Sequence, residues 1–566
     1  MDDETRELVR LYALQNAVEH GDDAEVGAVI GTLMGEHPEL REKAEDISDE
    51  APRVVASVNE MDADERRATL EDEAPEMLEE DEEEEDDSLP ELPNAEEYDE
   101  IVMRFAPNPN GPPTIGSARG MVVNDEYVRE YDGTLLMRFD DTDPVNKRPL
   151  REAYFWYLED GEWLGMEAHE THRASDRLET YYEHARNLIE EGSAYVCDCP
   201  ADDFSELKAD GEACPHRNRG VDKNLEAWDE MRDEATDTVL RVKTEIEHEN
   251  PAIRDWVAFR VVDVEEHPHP LTGDEYRVWP MLDFQSAVDD HLMGTTHIIR
   301  GKDLRDSEER QKYVYDAFDW DYPGVLHWGR ISVEEYGTLS TSSLAEAIEN
   351  GEYEGWEDPR VPTVRALRRR GIQGEALRDA LLELGVSESD IEFSMEHVYS
   401  ENRALVDDEA NRYFFVRDPV RVKVEDAPED MTVAHPPLHP DDDRGVREIT
   451  VDNEIFLEAD DIPEEGESLR LKSLYNVEVV SPDPPVVRRI GDDLSLVREG
   501  DVNVVHWASA KEGEAVEATL RTPEGDENGV VEKGALNEEE DIVQFERVGF
   551  ARVETADPFI AFFAHR

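Results

Sequence analysis

Apolar positions near the start of the chain recur at helical spacing: Leu8, Leu11, Tyr12, Ala17 and Val18, then Val26, Val29, Ile30 and Leu33. That period puts one apolar stripe on a helix and predicts a helical region over 1–70. Residues 79–87 are all acids and 88–94 are Pro-rich, so 71–97 reads as a flexible acidic linker. From Tyr98 to about Leu164 strand and helix patterns alternate. A strand Ile101–Phe105 leads into the loop Arg104–Arg119, RFAPNPNGPPTIGSAR, and a helix opens at about Ser117 with Met121, Val122, Asp125 and Val128 on one face. Gly133 closes it, a strand runs Thr134–Phe139, and a helix covers Leu150–Leu158. This alternation predicts a parallel sheet, with ligands at the carboxyl ends of its strands.

A helix is expected over Asp176–Glu191. Residues 195–275 mix strands (Thr238–Lys243, Asp255–Val264) with Cys and His, and read as an insertion in the sheet domain. The sheet resumes with a helix around Gln285–Leu292, a strand Thr296–Ile299, and Arg300-Gly-Lys-Asp. Residues 330–400 are mostly helical in pattern. After Leu405 short alternating runs between Pro, Gly and Asp turns suggest one or two β-barrels.

Charge changes this picture. The chain of 566 residues has 57 Lys+Arg against 143 Asp+Glu, a net charge of −86. Self-repulsion at that density weakens a compact fold unless molar salt shortens the Debye length to about 3 Å. A disordered acidic protein is excluded, because 38% of residues are hydrophobic and periodic patterns recur. In such salt counterion release contributes little, so a nucleic-acid binder need not be basic. No signal core or membrane-length apolar run is present, and the three Cys are not spaced as a disulfide framework, so a soluble cytoplasmic protein is expected.

Candidate chemistry collects in a few places. The loop at 104–119 joins a strand to a helix start, a geometry that offers backbone N–H groups to phosphate. It lacks the Lys of a GxxxxGK[ST] loop. Arg104 and Arg300 each end a strand and would enter one crevice, where a guanidinium can bind a carboxylate bidentately. Asp140, at the adjacent strand end, could hold an ammonium group. Cys197, Cys199, Cys214 and His216 form C-x-C…C-x-H, a donor set that suits tetrahedral Zn²⁺ in a structural role. The basic run Arg365–Arg370 offers either contacts to a nucleic-acid backbone or salt bridges to the chain's own acids.

Together these pieces resemble the class I aminoacyl-tRNA synthetases, and within them the archaeal glutamyl-tRNA synthetases. The resemblance spans nearly the whole chain. It rests on RFAPNPNG (104–111), RFDDTDP (138–144), ASDRLETYYEHA (174–185), NPAIRDWVAFR (250–260) and WPMLDFQSAVDDHLMGTTHIIRGKDL (279–304). EGWEDPRVPTVRALRRRGI (354–372) and LYNVEV (474–479) complete it. The acid bias looks haloarchaeal.

The resemblance implies a multidomain α/β plus all-β protein: a Rossmann-type catalytic domain with an inserted acceptor-binding domain, helical N-terminal and stem-contact regions, and a C-terminal β-barrel anticodon-binding region. The expected boundaries are 1–70 (helical), 71–97 (linker), 98–194 and 276–329 (catalytic halves), 195–275 (insertion with the zinc cluster), 330–402 (KMSKS-type loop and stem-contact helices) and 403–566 (barrels). It implies activation of L-glutamate by Mg·ATP to glutamyl-adenylate, then transfer to the 3′ end of tRNA(Glu), with tRNA(Gln) left open, by a monomer. A glutaminyl-tRNA synthetase and a catalytically silent, tRNA-binding paralogue remain as alternatives.

Carried over by motif, Arg104, Ala106 and Asn108 hold the amino acid, Asp140 its ammonium, and Arg300 reads its side-chain carboxylate. Leu282 and Ser286 stand where bacterial relatives place Tyr and Asn. Pro113, Thr114, Gly116, Ser117, Lys302, Leu339, Ser340 and Thr341 fall on the ATP side, and Thr114, Ser117, Ser340, Thr341 and Ser342 on the catalytic signatures. Two departures stand out. The first His of HIGH is Thr114, and the Lys of KMSKS that neutralises pyrophosphate charge is Thr341. Lys302, Lys312 or an arginine are the candidates to replace the missing charge.

Overall fold

The computed structural model describes residues 3–20, 24, 26–27, 29, 33, 43–59, 61, 66–67, 69–70, 74, 89–233, 237–337, 340–428, 433–442, 444–498 and 502–566. The chain divides into two compact units, Met1–Ser88 and Leu89–Arg566. In the first, helices α1 (Asp3–His20) and α2 (Ala44–Asn59) bury one face each, with Val9, Ala13, Leu14, Ile47, Ala51 and Val55 in a shared core. The acidic run at 79–87 lies outside the described residues.

The second unit starts inside what the sequence pattern reads as linker. Leu89 and Leu92 are buried in the main core, Tyr127 Oη donates to Pro90 O (2.7 Å), and His297 Nε2 lies 2.9 Å from Pro93 O. The prolines leave fewer backbone N–H groups to satisfy, so this segment can pack against α3 and the start of β8 without a ladder.

The sheet holds β1 (Val102–Phe105), then α3 (Ile115–Glu130), β2 (Thr134–Phe139), α4 (Ala153–Trp163) and β3 (Glu170–Arg173). Helix α5 (Leu178–Glu190) leads to a four-stranded antiparallel sheet, β4 (Ala194–Cys197), β5 (Val239–Val242), β6 (Val257–Val261) and β7 (Val278–Pro280). The chain then returns through α6 (Leu282–Leu292), β8 (His297–Gly301), α7 (Arg305–Phe318) and β9 (Gly324–Trp328). The five-stranded sheet is parallel throughout, in the order β3-β2-β1-β8-β9. Strand order reverses between β1 and β8, and a crevice opens at such a switch point.

Several helix starts differ from the pattern: α5 begins at Leu178 rather than Asp176, and α6 at Leu282 rather than about Gln285. Helix α3 starts at Ile115, because Thr114 caps it: its Oγ1 accepts from Ser117 N at 3.4 Å. Helix α4 starts at Ala153, not Leu150; Leu150 N donates to Pro109 O (2.8 Å), which ties the incoming turn to the loop after β1.

Residues beyond β9 form short strands β10 (Ile331–Val333) and β11 (Ile391–Phe393), paired in parallel, and helices over 341–349, 364–370, 374–382 and 395–406. Two seven-stranded sheets follow, one from 411–417 with 515–565, the other from 419–509. Their cores are separate, and a buried cluster of Arg447 with Glu532 and Glu546 (2.8 Å to the latter) joins them.

Candidate functional site

The β1–β8 crevice is lined by a buried ionic cluster. Arg138 of β2 is fully buried and donates through Nε to Asp140 Oδ1 (2.8 Å) and through an η nitrogen to Asp290 Oδ1 (2.7 Å). Arg104 of β1 reaches the same Asp290 oxygen at 3.2 Å. Gln285 donates to Asp140 Oδ1 at 2.8 Å. Arg300 of β8, 6% exposed, donates to Gln311 Oε1 (3.1 Å), which also accepts from Tyr322 Oη (2.6 Å). Gln311 in turn donates to Ser286 Oγ at 2.6 Å. Burial raises the Asp140 carboxyl above its ordinary range, against the pull of Arg138. Burial also acts on Asp290, but Arg104, Arg138 and Arg300 together outweigh it and hold that carboxyl below the usual range. Three cations and two acids leave a net charge of +1 (3 − 2) in the cluster.

Arg104, Asp140, Ser286 and Arg300 therefore do meet, as expected from sequence. Ala106 follows β1. Asn108 differs: its Nδ2 donates to Asp140 O (2.9 Å), so the amide fastens one loop to the other, while its Oδ1 is buried without a partner. Leu282 is 45% exposed at the start of α6. Sequence reasoning missed Arg138, Gln285, Asp290, Gln311 and Tyr322. The signals were present: a charge inside the strand TLLMRF and two acids at the end of the otherwise core-facing QSAVDD.

A cleft of about 590 Å³ continues from Asn108 past Thr114, Gly116, Ser117, Gly301, Asp303 and Trp328 to Arg330 and Thr341. Two distant loops meet here. A Cβ placed on Gly111 would stand 2.5 Å from Thr341 Cγ2, so only the absence of a side chain lets the loops touch. Pro113 O accepts from Val364 N (2.9 Å), and Ile115 N donates to Pro362 O (3.2 Å). Ser340 caps the 341–349 helix, accepting from Ser343 N at 3.4 Å, and Ser342 lies in its first turn. Leu339 lies outside the described residues.

The candidate replacement lysines are engaged elsewhere. Lys302 Nζ pairs with Asp390 (2.8 Å) and Lys312 Nζ with Glu308 (2.6 Å). Asp390 belongs to an acidic strap, 387–390, whose Ser387 O also accepts from Gly329 N (2.7 Å). Arg119, 2% exposed in the wall of the cleft, stacks 4.6 Å over Trp328 and donates to Gly385 O at 2.8 Å; burial lowers its pKa to about 10. Arg330 is the exposed cation of the cleft, 3.8 Å from Asp303.

In the basic run, self-pairing prevails. Arg365 binds Glu159 (2.9 Å), Asp160 (3.3 Å) and Glu357 (3.1 Å), and Arg369 binds Glu554 (2.8 Å). Arg370 is fully buried on Phe563 O (2.9 Å) and Ala564 O (2.6 Å). Arg368 of the same run is exposed and forms no ion pair with the described residues.

At the start of the inserted sheet, the donor atoms of Cys197, Cys199, Cys214 and His216 lie within 4.8 Å of one another and could hold a metal ion. Cys197 and Cys214 sulfurs are 3.8 Å apart, and Cys199 Sγ is 3.4 Å from His216 Nδ1. A tetrahedron with metal–sulfur bonds of about 2.3 Å has edges near these lengths. His216 Nε2 meets Asp198 Oδ1 at 2.6 Å, which turns Nδ1 toward the cysteines.

Comparison with known proteins adds the family. A model for the catalytic domain of tRNA synthetases class I (E and Q) matches residues 100–408, and two models for anti-codon binding domains of the same class match 410–490 and 504–554. A glutamate–tRNA ligase of Haloarcula marismortui is 50% identical over 100% of both chains. One from Methanothrix thermoacetophila is 48% identical, again over 100% of both. A crystal structure of a glutamate tRNA ligase from Elizabethkingia meningosepticum in complex with its amino acid aligns with 54% of this chain and 70% of its own, at 20% identity and a TM-score of 0.37.

Proposed function

We infer that this chain, which belongs to the class I tRNA synthetases of the E and Q group, is a glutamate–tRNA ligase. Curated relatives of that name match it at about half identity over their full length. The observation that carries the choice of glutamate is the charge of the crevice. Glutamate brings one ammonium and two carboxylates, a net charge of −1, and meets the cluster's +1. Glutamine would leave Arg300 facing a neutral amide, at a cost on the order of ~3 kcal/mol.

In the reaction the α-carboxylate of glutamate attacks the α-phosphate of ATP, pyrophosphate leaves, and the terminal 2′-hydroxyl of tRNA then takes the glutamyl group. Arg104 and Asp140 are proposed to orient the amino acid, and Arg300 to bind its side chain. Arg138 and Asp290 keep these groups in register. At the start of α3, Thr114 and Gly116 are proposed to face the ATP phosphates through backbone N–H groups and Thr114 and Ser117 through hydroxyls, with Pro113, which has no N–H, shaping the turn. Ser340, Thr341 and Ser342 approach from the other side. Mg²⁺ bound with ATP would supply charge neutralisation there.

The Cys₃His cluster is proposed to hold structural Zn²⁺, for its donor set is closed and carries its own second-layer carboxylate. No described helix is long and apolar enough to cross a membrane. We place the enzyme in the cytoplasm of a salt-rich cell, as a monomer, with tRNA(Glu) as its acceptor and charging of tRNA(Gln) left open. The test is tRNA-dependent ATP–pyrophosphate exchange in multimolar KCl with glutamate and glutamine offered separately. Exchange with glutamine alone would refute the assignment, and none with either would favour a silent tRNA-binding paralogue.

A further inference from the structure

Arg241 carries a buried charge that the chemistry described so far does not use. It stands inside β5, VLRV, between the core residues Leu240 and Val242, and is 7% exposed. Strand β4 pairs with β5 in the register Tyr195↔Arg241, Val196↔Leu240 and Cys197↔Val239. Side chains alternate across a strand. Leu240 and Val242 therefore enter the main core of the insertion, whereas Arg241 shares the opposite face with Tyr195 and Cys197. That face carries the Cys₃His cluster.

There the guanidinium is stacked. Arg241 Cζ lies 3.3 Å from the centroid of the Phe204 ring, and Phe204 packs with Cys197 and Cys214. The guanidinium is also within hydrogen-bonding reach of the Cys197 sulfur. One η nitrogen donates to Asp255 O at 3.2 Å, but Nε is buried without a partner, and Arg241 forms no ion pair with the described residues. The neighbouring acid is already engaged. The Asp255 carboxylate accepts from Arg217 Nε (2.9 Å), Tyr195 Oη (2.8 Å) and Thr244 N (3.0 Å).

A dry cation without a carboxylate is costly, and it is out of place in a chain with a net charge of −86. The metal cluster supplies the missing charge. A dication held by three thiolates and a neutral imidazole leaves one negative charge on the site. Cys197 and Cys214 are 1% and 2% exposed, so water screens little of that charge. The Asp198 carboxylate at His216 adds to it and does not balance it. Arg241 brings the opposite unit charge to the buried side, and its unpartnered Nε–H is a donor that a thiolate can accept. Molar salt screens surface charges but not a pair held away from water.

We propose that Arg241 is the counter-ion of the metal–thiolate cluster and sets how tightly the inserted sheet holds its metal. This rests on the reading of Cys197, Cys199, Cys214 and His216 as metal ligands, and adds to it a residue that acts through them.

The experiment compares the full chain as wild type, Arg241→Met and Arg241→Lys. It repeats wild type against Arg241→Met beside Cys199→His, whose two thiolates and two imidazoles leave the bound site neutral. The readout is Zn²⁺ affinity by competition with a chelator at fixed multimolar KCl. Arg241→Met is expected to weaken Zn²⁺ binding about 10- to 100-fold, and Arg241→Lys to stay within about threefold of wild type. Beside Cys199→His the loss from Arg241→Met should fall below about threefold. A merely structural role predicts equal losses in both backgrounds and no advantage for Lys, and either result would overturn the proposal. So would wild-type affinity in Arg241→Met. If Cys199→His holds no Zn²⁺, the comparison of Met with Lys decides alone. If Arg241→Met does not fold in excess Zn²⁺, Arg241→Gln, which keeps donors and drops the charge, takes its place. Wild type binding Zn²⁺ no better than Cys197→Ser/Cys214→Ser would remove the ligand reading itself, a failure separate from that of the counter-ion.

Discussion

The amino-acid crevice and the phosphate cleft lie side by side at the end of one sheet, and they manage charge in opposite ways. In the crevice every ion is buried, and most are paired through short bonds: Arg138 with Asp140 and Asp290, and Arg104 with Asp290. In the cleft the ions of the usual signatures are absent, Thr114 and Thr341 stand in their places, and the nearby lysines serve acids outside it. The difference follows from what each site must discriminate. Telling a carboxylate from an amide needs a fixed, desolvated cation whose misuse is costly. Holding a triphosphate needs many donors, and backbone N–H groups at a helix start can supply them.

Four substitutions or titrations would break or sharpen that contrast. Asp290→Asn should be the most damaging, since it strands Arg104 and Arg138 in a dry site. A loss of about 3–5 kcal/mol in thermal unfolding at fixed KCl is expected, and a melting temperature within error of wild type would mean that the cluster is not a stabilising unit. Arg300→Gln is expected to lower kcat/KM for glutamate by about two to three orders of magnitude, the equivalent of ~3–4 kcal/mol. Exchange kinetics near wild type would take the charge argument away from the crevice.

The third concerns the buttress beneath Asp140. His269 Nε2 lies 3.0 Å from Asp141 O, and burial lowers its pKa to about 4. A histidine with a depressed folded pKa favours the fold above its ordinary value near 6.5, and that contribution is lost as pH falls toward 4. The neighbouring Asp141 carboxyl, raised by burial to about 6, acts with the other sign: its contribution is present below about pH 4 and lost as pH rises through 6. Taking the stability difference between wild type and His269→Gln isolates the first effect. That difference should shrink by up to about 3 kcal/mol between pH 6.5 and 4, and a pH-independent difference would refute it.

The smallest effect tests the cleft. Thr341→Lys returns a cation beside Gly111 and should raise the rate of pyrophosphate exchange about tenfold, roughly 1.4 kcal/mol of barrier. An unchanged rate would show that backbone donors and Mg²⁺ already supply the charge.

Much of this was legible along the chain. The strand-loop-helix alternation from Tyr98 and the confinement of three cysteines and a histidine to one segment are local patterns, and short-range sterics and ligand spacing decide them. Arg104, Asp140 and Arg300 could be proposed because strand ends are where a parallel sheet opens. Other features depended on residues far apart in sequence. Asp290 joins Arg104 and Arg138 across 186 and 152 positions, and no periodicity encodes such a pairing. In the run Arg365–Arg370, Glu159, Glu357 and Glu554 came round to pair Arg365 and Arg369, and Arg370 is buried on backbone carbonyls, whereas Arg368 stays exposed. Sequence by itself determined which side chains could do the chemistry. Only the tertiary structure decided which of them remain free to do it, because in so acidic a chain a cation's availability depends on which acids the fold brings near it.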